Sequence, residues 1–192
     1  AGFEAAFAEF TGCSHVVGVS SGTDALHLAL LSMGVGPGDA VVTAPNTFIA
    51  TTEAITAAGA EVEFVDVRRD TCLMDAEKLD EHLGSRSSSK RVAAVIPVHL
   101  YGQCADMDAL RTCVSSHGIP LLEDAAQAHG ATYRGRPAGS LGDAACFSFY
   151  PSKNLGACGE AGAVTTDDAR IAERVRMYRD HGQAKKHEHE LE

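Results

Sequence analysis

The sequence predicts an α/β fold with a mostly parallel central sheet. Short apolar runs that are typical of strands alternate along the chain with longer segments of helical spacing. The run over residues 92–100 is continuously apolar, as expected for a strand buried on both faces of a sheet. Such alternation favours parallel strands joined by helices. Ligands bind beyond the carboxyl ends of strands in these sheets, so the residues that follow each strand are the first candidates for a site.

The predicted elements start with a helical pattern over residues 2–10. An apolar run at residues 16–20, between Gly12 and Gly22, predicts a strand, and residues 24–33 have helical apolar spacing. Residues 34–39 form a Gly-rich turn. They resemble a dinucleotide-binding loop only superficially, because no helix follows at the right place.

The remaining pattern predicts further alternation of strands and helices. Strands are predicted at residues 40–43, 61–67, 92–100, 121–124, 146–150 and 163–166. Helices are predicted at residues 47–58, 75–83, 106–117 and 167–179, with a polar loop over residues 84–90.

The composition is that of a globular protein: 192 residues, 45% hydrophobic and 22% charged. A formal net charge of -10 argues against binding to a nucleic-acid backbone. It does not exclude a phosphorylated ligand, because backbone N–H groups can build a local anion site. The six cysteines form no C-x-x-C pair, and neither a signal peptide nor a long apolar span is visible. We therefore expect no membrane partner, a cytoplasmic location and reduced thiols.

Two strand ends carry the chemistry. The apolar run at residues 145–150 breaks at Pro151 and delivers Lys153, and the run at residues 121–124 ends on Asp124. Taken alone, Lys153 could be a solvated surface charge and Asp124 a helix N-cap. Together they fit pyridoxal phosphate, since a lysine amine forms a Schiff base with the aldehyde and a carboxylate keeps the pyridine nitrogen protonated.

Five stretches, in this order over nearly the whole chain, carry a resemblance to a known family. They are residues 21–26 (SGTDAL), 45–51 (PNTFIAT), 97–102 (PVHLYG), 123–130 (EDAAQAHG) and 147–156 (FSFYPSKNLG). The sequence resembles the DegT/DnrJ/EryC1/StrS aminotransferases, which place amino groups on nucleotide-linked keto sugars.

The resemblance implies a three-layer αβα sandwich, the large domain of a fold type I, aspartate aminotransferase-like transferase dependent on pyridoxal 5'-phosphate. Residues 1–192 would be that cofactor-binding large domain, incomplete at the N-terminus and without the smaller C-terminal domain. We expect little or no activity from this chain alone, because the family's site is shared between domains and subunits.

The resemblance also assigns site residues. The N–H groups of Gly22 and Thr23 and the hydroxyl of Ser148 would bind the cofactor phosphate. The alternatives are a strand–helix turn capped by Ser21 or Thr23, and a strand serine bonded to backbone. Lys153 would hold the cofactor and move a proton, and Asp124 would pair with the ring nitrogen.

Phe48, Gln127 and His129 are the remaining site candidates, and the resemblance assigns a role to the first two. Phe48 would stack on the pyridine ring, the alternative being a core phenylalanine at a helix start. Gln127 would hydrogen-bond the cofactor's phenolic oxygen, the alternative being a helix-surface glutamine. His129 could support this network or fill polar space near Gly130.

One position departs from the family, which often has Arg-Asn-His-Gly where this chain has Arg179-Asp180-His181-Gly182. That asparagine typically reaches the partner subunit's cofactor phosphate. An ionised Asp180 cannot donate a hydrogen bond, so this contact is in doubt. The nearby Lys185, Lys186, His187 and His189 predict a solvated polar loop rather than a metal site.

The expected function is therefore transfer of an amino group, with glutamate as donor, to a keto group of a nucleotide-linked sugar (dTDP, UDP or GDP) by a homodimer. Lys153 favours transamination, because the family's dehydratases have histidine in its place. Two alternatives stay open: another pyridoxal phosphate reaction on the same fold, such as amino-acid side-chain cleavage, and a non-catalytic, cofactor-binding regulatory protein.

Overall fold

The computed structural model describes residues 2–86, 89–185 and 188–191. The helices are α1 Gly2–Thr11, α2 Gly22–Ser32, α3 Ile49–Ala57, α4 Ala76–Ser85, α5 Met107–Ser115 and α6 Ala169–Arg179. The strands are β1 His15–Val19, β2 Asp39–Thr43, β3 Glu61–Phe64, β4 Arg91–Ile96, β5 Leu122–Asp124, β6 Thr132–Tyr133, β7 Arg136–Pro137, β8 Ala144–Ser148, β9 Gly162–Thr166, β10 Gln183–Lys185 and β11 Glu188–His189.

Seven of these strands form the central sheet, in the order β3-β2-β4-β5-β8-β9-β1. Two groups of strands, β3-β2-β4 and β1-β9-β8-β5, meet between β4 and β5. Parallel bridges between Val95 and Leu121 and between Val98 and Asp124 join them there. Within this sheet β9 runs antiparallel to both neighbours, and the other strands are mutually parallel. The predicted mostly parallel sheet is confirmed.

Helices cover both faces of the sheet, as the alternation of side chains along β8 illustrates. Cys146 packs in a core cluster that includes residues of α2, α3 and α6. Its neighbour Phe147 points to the other face and packs with Phe7 of α1. Leu79 of α4 and Leu110 of α5 belong to a further cluster beneath β2 and β4. The three-layer α/β arrangement is therefore confirmed.

Four of the helices have a short polar N-cap residue that fixes where the helix begins. Ser21 and Asp75 accept hydrogen bonds from the first-turn N–H groups of α2 and α4. Asp106 and Asp168 do the same for α5 and α6. These caps satisfy N–H groups that have no partner within the helix.

Several boundaries differ from the predicted ones. The strand predicted over residues 92–100 ends at Ile96, because Pro97 cannot donate a ladder hydrogen bond. The helix predicted from Thr47 starts at Ile49, and β3 ends at Phe64 rather than Val67. The β6–β7 hairpin was not predicted.

The longest described helices have 11 residues, and within the described ranges none could cross a membrane. The polar segment near residue 185 contains a β10–β11 hairpin where a loop was predicted. Lys186 and His187 lie outside the described residues, as do residues 87 and 88 of the predicted polar loop.

Candidate active site

A cavity of about 540 Å³ lies where the carboxyl ends of β1, β2, β4, β5 and β8 meet. Its volume is in the range of small-molecule sites. All seven residues that the sequence suggested line it: Gly22, Thr23, Phe48, Asp124, Gln127, Ser148 and Lys153. The structure thus brings together residues from four separate stretches of the chain.

One end of this cavity is the N-terminus of α2. Ser21 accepts a hydrogen bond from the N–H of Asp24 (3.0 Å), so it is the cap that sequence analysis left open. A Cβ atom at Gly22 would lie 2.6 Å from Cβ of Ser148, closer than real side chains approach. Glycine therefore allows the helix end and the Ser148 hydroxyl to form one wall. Exposed N–H groups and a helix dipole make such a wall suited to a phosphate.

Asp124 occupies the inner part of the cavity, at the end of β5. Its Oδ2 accepts a hydrogen bond from the Thr51 hydroxyl (2.7 Å), and its Oδ1 accepts one from the Ala126 N–H (3.2 Å). Burial raises the pKa of this carboxyl, while these two hydrogen bonds and the charge of Lys153 oppose the rise. No helix follows β5 directly, so the N-cap alternative for Asp124 is not what the structure shows.

A backbone N–H group holds the side-chain amide oxygen of Gln127 in place. Its Oε1 accepts a hydrogen bond from the N–H of Tyr101 (2.7 Å), which lies in the 3₁₀ turn Leu100–Gly102. Because the oxygen is occupied, the amide NH₂ is left as the group that can donate into the cavity. Gln127 is therefore not simply a surface residue.

Phe48 and Lys153 contribute an aromatic ring and an amine. Phe48 is the N-cap residue of α3 and is 67% exposed, so it is not the core phenylalanine that was the alternative. Lys153 lies in the turn after β8, where its N–H donates to the Tyr150 carbonyl (2.8 Å). It is partly buried and lines the cavity rather than standing free in solvent.

His129 lies outside the cavity lining. Its ring is 5.3 Å from each of the rings of Phe147 and Phe149. Both ring nitrogens are buried, and none of the described groups meets them in good hydrogen-bond geometry. Burial lowers the pKa of this imidazole, although the Ser148 backbone and the Asn154 side chain lie near enough to raise it slightly, so the neutral form is favoured.

Sequence analysis missed four buried or half-buried polar residues around Asp124. Thr51 contacts its carboxylate, and Thr47 lies 2.7 Å from Thr51 in turn. The sequence offered one indication of this pair: the two threonines are four residues apart, a spacing that puts side chains on one face of the predicted helix.

The other two, His99 and Glu123, form a fully buried pair (Nε2 to Oε2, 2.9 Å). Nδ1 of His99 accepts the Ala105 N–H (3.1 Å), so the proton lies on Nε2 and is donated to Glu123. The same carboxylate accepts N–H groups from the loop at residues 139–142. This pair anchors the ends of β4 and β5 that carry the cavity.

Asp180 ends α6 and is exposed, with its carboxylate 3.5 Å from Nε2 of Gln183. That Asp180 fails to make the family's contact with the partner subunit's cofactor phosphate remains a prediction. Within the ranges that the structure describes, no three His, Cys, Asp or Glu side chains are grouped to hold a metal ion.

The groups that line the cavity can be compared with those that pyridoxal phosphate requires. An acid lies at one wall, a phosphate-type N–H cradle at another, and an amine and an amide NH₂ also face the same space. A Cβ atom at Gly22 would clash with Ser148, so glycine is what lets the N–H groups at the start of α2 and the Ser148 hydroxyl lie side by side. The residues present therefore fit that cofactor.

Comparisons with known proteins agree with this geometry. The chain is 49% identical over 189 residues to a dTDP-3-amino-3,4,6-trideoxy-alpha-D-glucose transaminase of Streptomyces venezuelae, covering 98% of this chain and 48% of the relative. The structure of S. venezuelae DesV in complex with a ketimine intermediate matches with a TM-score of 0.93 at 48% identity, over 100% of this chain and 50% of that one. NtdA from Bacillus subtilis, with bound cofactor PMP, matches with a TM-score of 0.90 at 33% identity, over 100% and 42%.

The chain thus spans about half the length of the curated relatives it matches. The fold is that of fold type I aminotransferases. The profile of one family matches residues 1–192. The chain belongs to the DegT/DnrJ/EryC1/StrS aminotransferase family.

Proposed function

We propose that this chain is the cofactor-binding large domain of a pyridoxal-phosphate-dependent aminotransferase, which moves an amino group from glutamate to a keto group of a nucleotide-linked sugar. The observation that supports this most directly is the shared cavity of Asp124 and Lys153, with the Gly22–Ser148 wall at its side. Relatives named as sugar transaminases, which match nearly the whole chain, support the substrate class.

Each residue has a definite task in this proposal. The N–H groups of Gly22 and Thr23 and the hydroxyl of Ser148 bind the phosphate. Asp124 pairs with the ring nitrogen. Lys153 would hold the cofactor through Nζ, the aldehyde oxygen leaving as water. Once the donor's amino group had taken its place, the free Lys153 amine would move a proton to and from the substrate carbon.

Two other residues orient the ring. The NH₂ of Gln127 donates to the ring oxygen, and Phe48 covers one face and excludes water from it. Pyridoxal phosphate itself supplies, when bound, a conjugated ring that takes up electrons from the substrate carbon.

The first prediction concerns Lys153. The complete gene product, purified and supplied with pyridoxal phosphate, should show an absorbance band at about 400 nm that disappears when glutamate is added. Lys153→Ala should lose the band and at least about 10³-fold in turnover, since no other described residue of the cavity offers an amine. Lys78→Ala, which removes an exposed lysine from α4, should keep both.

These measurements also separate the alternatives. A band without turnover on any of a panel of dTDP-, UDP- and GDP-linked keto sugars would favour a regulatory protein or another pyridoxal phosphate reaction. A wild-type protein without the band would contradict the proposed cofactor.

A homodimer and a cytoplasmic location complete the proposal. Exposed aromatic side chains at the cavity mouth, Phe48 and Tyr150 among them, support a surface that another subunit covers. The six free thiols support a reducing compartment. Sedimentation of the complete gene product tests the first point.

A further inference from the structure

A chain of hydroxyl groups runs from the cavity wall to Asp124. The hydroxyls of Thr47 and Thr51 are 2.7 Å apart, and Thr51 Oγ1 is 2.7 Å from Oδ2 of Asp124. Thr51 is fully buried in the first turn of α3, whereas Thr47 is half-buried and lines the cavity. The contact thus joins two elements, α3 and β5, that are 73 residues apart in sequence.

The direction of these hydrogen bonds follows from the groups involved. An ionised carboxylate only accepts, so Thr51 must donate its single hydroxyl hydrogen to Asp124. Thr51 then has no hydrogen left for Thr47, and Thr47 must donate to Thr51. With Asp124 ionised, the chain therefore has a single direction, from Thr47 to Thr51 to Asp124, and the Thr51 hydrogen bond favours the charged form of the carboxyl.

We propose that Thr51 is a positioning residue that holds the Asp124 carboxylate ionised and in one orientation toward the cavity, with Thr47 supporting it. The hydrogen-bond geometry carries this inference, and only the identity of the group that Asp124 meets rests on the proposed function. Asp124 has two described hydrogen-bond donors, Thr51 and the Ala126 N–H, and Thr51 is much the closer. Charge-assisted bonds of this length are the stronger ones.

Asp124 is buried, and burial disfavours its charged form unless hydrogen bonds or nearby charges compensate. Burial raises the pKa of Asp124, and the Thr51 hydroxyl is the largest influence that lowers it. The other titratable groups around it are Lys153, His99, Glu123 and Cys146. Cys146 is buried as a thiol and Glu123 is itself paired with His99, so neither supplies a hydrogen bond to Asp124.

The test compares two substitutions at position 51 with a matched control. Thr51→Val keeps the shape and removes the hydroxyl, and Thr51→Ser restores it. Thr165→Val removes another fully buried hydroxyl with a 2.7 Å bond, to the Gly139 carbonyl, in β9 and outside the cavity lining. The first measurement is the ¹³C shift of the Asp124 carboxyl carbon against pH in the complete gene product without cofactor.

We expect Thr51→Val to raise the titration midpoint of Asp124 by about one pH unit, the worth of one hydrogen bond to a charged group. Thr51→Ser and Thr165→Val should stay within a few tenths of a unit of wild type. If Thr51→Val does not fold, Thr47→Val should show a smaller rise of the same sign. An unchanged midpoint in the folded variant would overturn the proposal.

The second measurement is the dissociation constant of pyridoxal phosphate against pH. Thr51→Val should bind as tightly as wild type above both midpoints, increasingly weakly as the pH falls through them, and up to about tenfold more weakly below both. A purely structural loss would weaken binding equally at every pH, which would contradict the proposed role. If the wild-type protein does not bind the cofactor, the proposed function fails, while the ¹³C titration still decides the role of Thr51.

Discussion

Gly22 shows how a missing side chain shapes the site. The Ser148 side chain occupies the space where a Cβ at position 22 would lie, so the start of α2 can approach the end of β8. We expect Gly22→Ala to push these elements apart, to weaken pyridoxal phosphate binding by about tenfold or more, and to destabilise the fold by about 1–3 kcal/mol. Equilibrium binding and urea unfolding measure the two effects.

Gly84→Ala is the control for this substitution. Gly84 lies in α4 with ordinary helical backbone, and a Cβ atom added to it would have no neighbour within 4 Å. Alanine there should stabilise the protein by about 0.5–1 kcal/mol and leave cofactor affinity unchanged. If Gly22→Ala behaved like Gly84→Ala, the close contact with Ser148 would have no part in binding.

The residues of the site differ in how far the sequence could predict them. Lys153 and Asp124 were predictable because each follows an apolar strand and bears a group with distinctive chemistry. Thr51 and His99 were not, since their importance depends on partners 73 and 24 residues away. A threonine in a helix start and a histidine after a strand have many possible roles until tertiary structure supplies the partner.

At the level of elements, the 3₁₀ turn Leu100–Gly102 positions Gln127. Tyr101 has a left-handed backbone (φ 54°, ψ 23°), and this conformation directs its N–H at Oε1 of Gln127. The Tyr101 side chain is 87% exposed, so its backbone conformation can be tested apart from packing of its side chain. Asparagine tolerates left-handed backbone and β-branched residues do not.

We therefore expect Tyr101→Asn to bind pyridoxal phosphate like wild type and Tyr101→Val to bind about tenfold more weakly, since strained backbone costs on the order of 1–3 kcal/mol. Both variants lose the phenol ring, so their difference isolates the backbone. Absorbance titration gives the affinities. Equal losses in the two would assign the effect to the missing ring instead.

Element boundaries were the weakest part of the sequence prediction, for local reasons. The apolar pattern over residues 92–100 continues past Pro97, but the regular ladder stops at Ile96 and only Val98 pairs again. The antiparallel direction of β9 leaves no trace in its composition, because a strand buried on both faces looks the same in either direction. The caps Asp75, Asp106 and Asp168 were included within predicted helices that they only precede.

For the whole molecule, the alternation of strands and helices sufficed to predict the layers, because helices need a sheet face on which to bury their apolar side. The order of strands was not predictable, since it depends on which edges pair. Buried and half-buried thiols are spread through these layers. Cys146 packs under α2, α3 and α6, Cys113 of α5 lies beside α4, and the half-buried Cys104 packs between the two clusters of the other face.

The raised pKa values of these thiols allow a prediction of how the free energy of unfolding changes at alkaline pH. Burial raises the pKa of Cys104 and of Cys113 to about 11, and raises that of Cys146 well above its usual value. Above about pH 9 the unfolded chain loses these protons while the folded protein keeps them. The free energy of unfolding should therefore fall between about pH 9 and pH 11, by at most about 1.4 kcal/mol per pH unit for each thiol.

Urea unfolding under reducing conditions at pH 8, 9 and 10 measures this fall. A variant with Cys104→Ala, Cys113→Ala and Cys146→Ala should be less stable at pH 8 but lose less stability on going to pH 10. Replacing the exposed Cys72 and Cys158 by alanine should leave the wild-type pH dependence unchanged. All other ionisable groups, the buried Cys13 among them, are the same in the triple variant and wild type. Parallel curves for these two proteins would therefore show that Cys104, Cys113 and Cys146 do not set the alkaline limit.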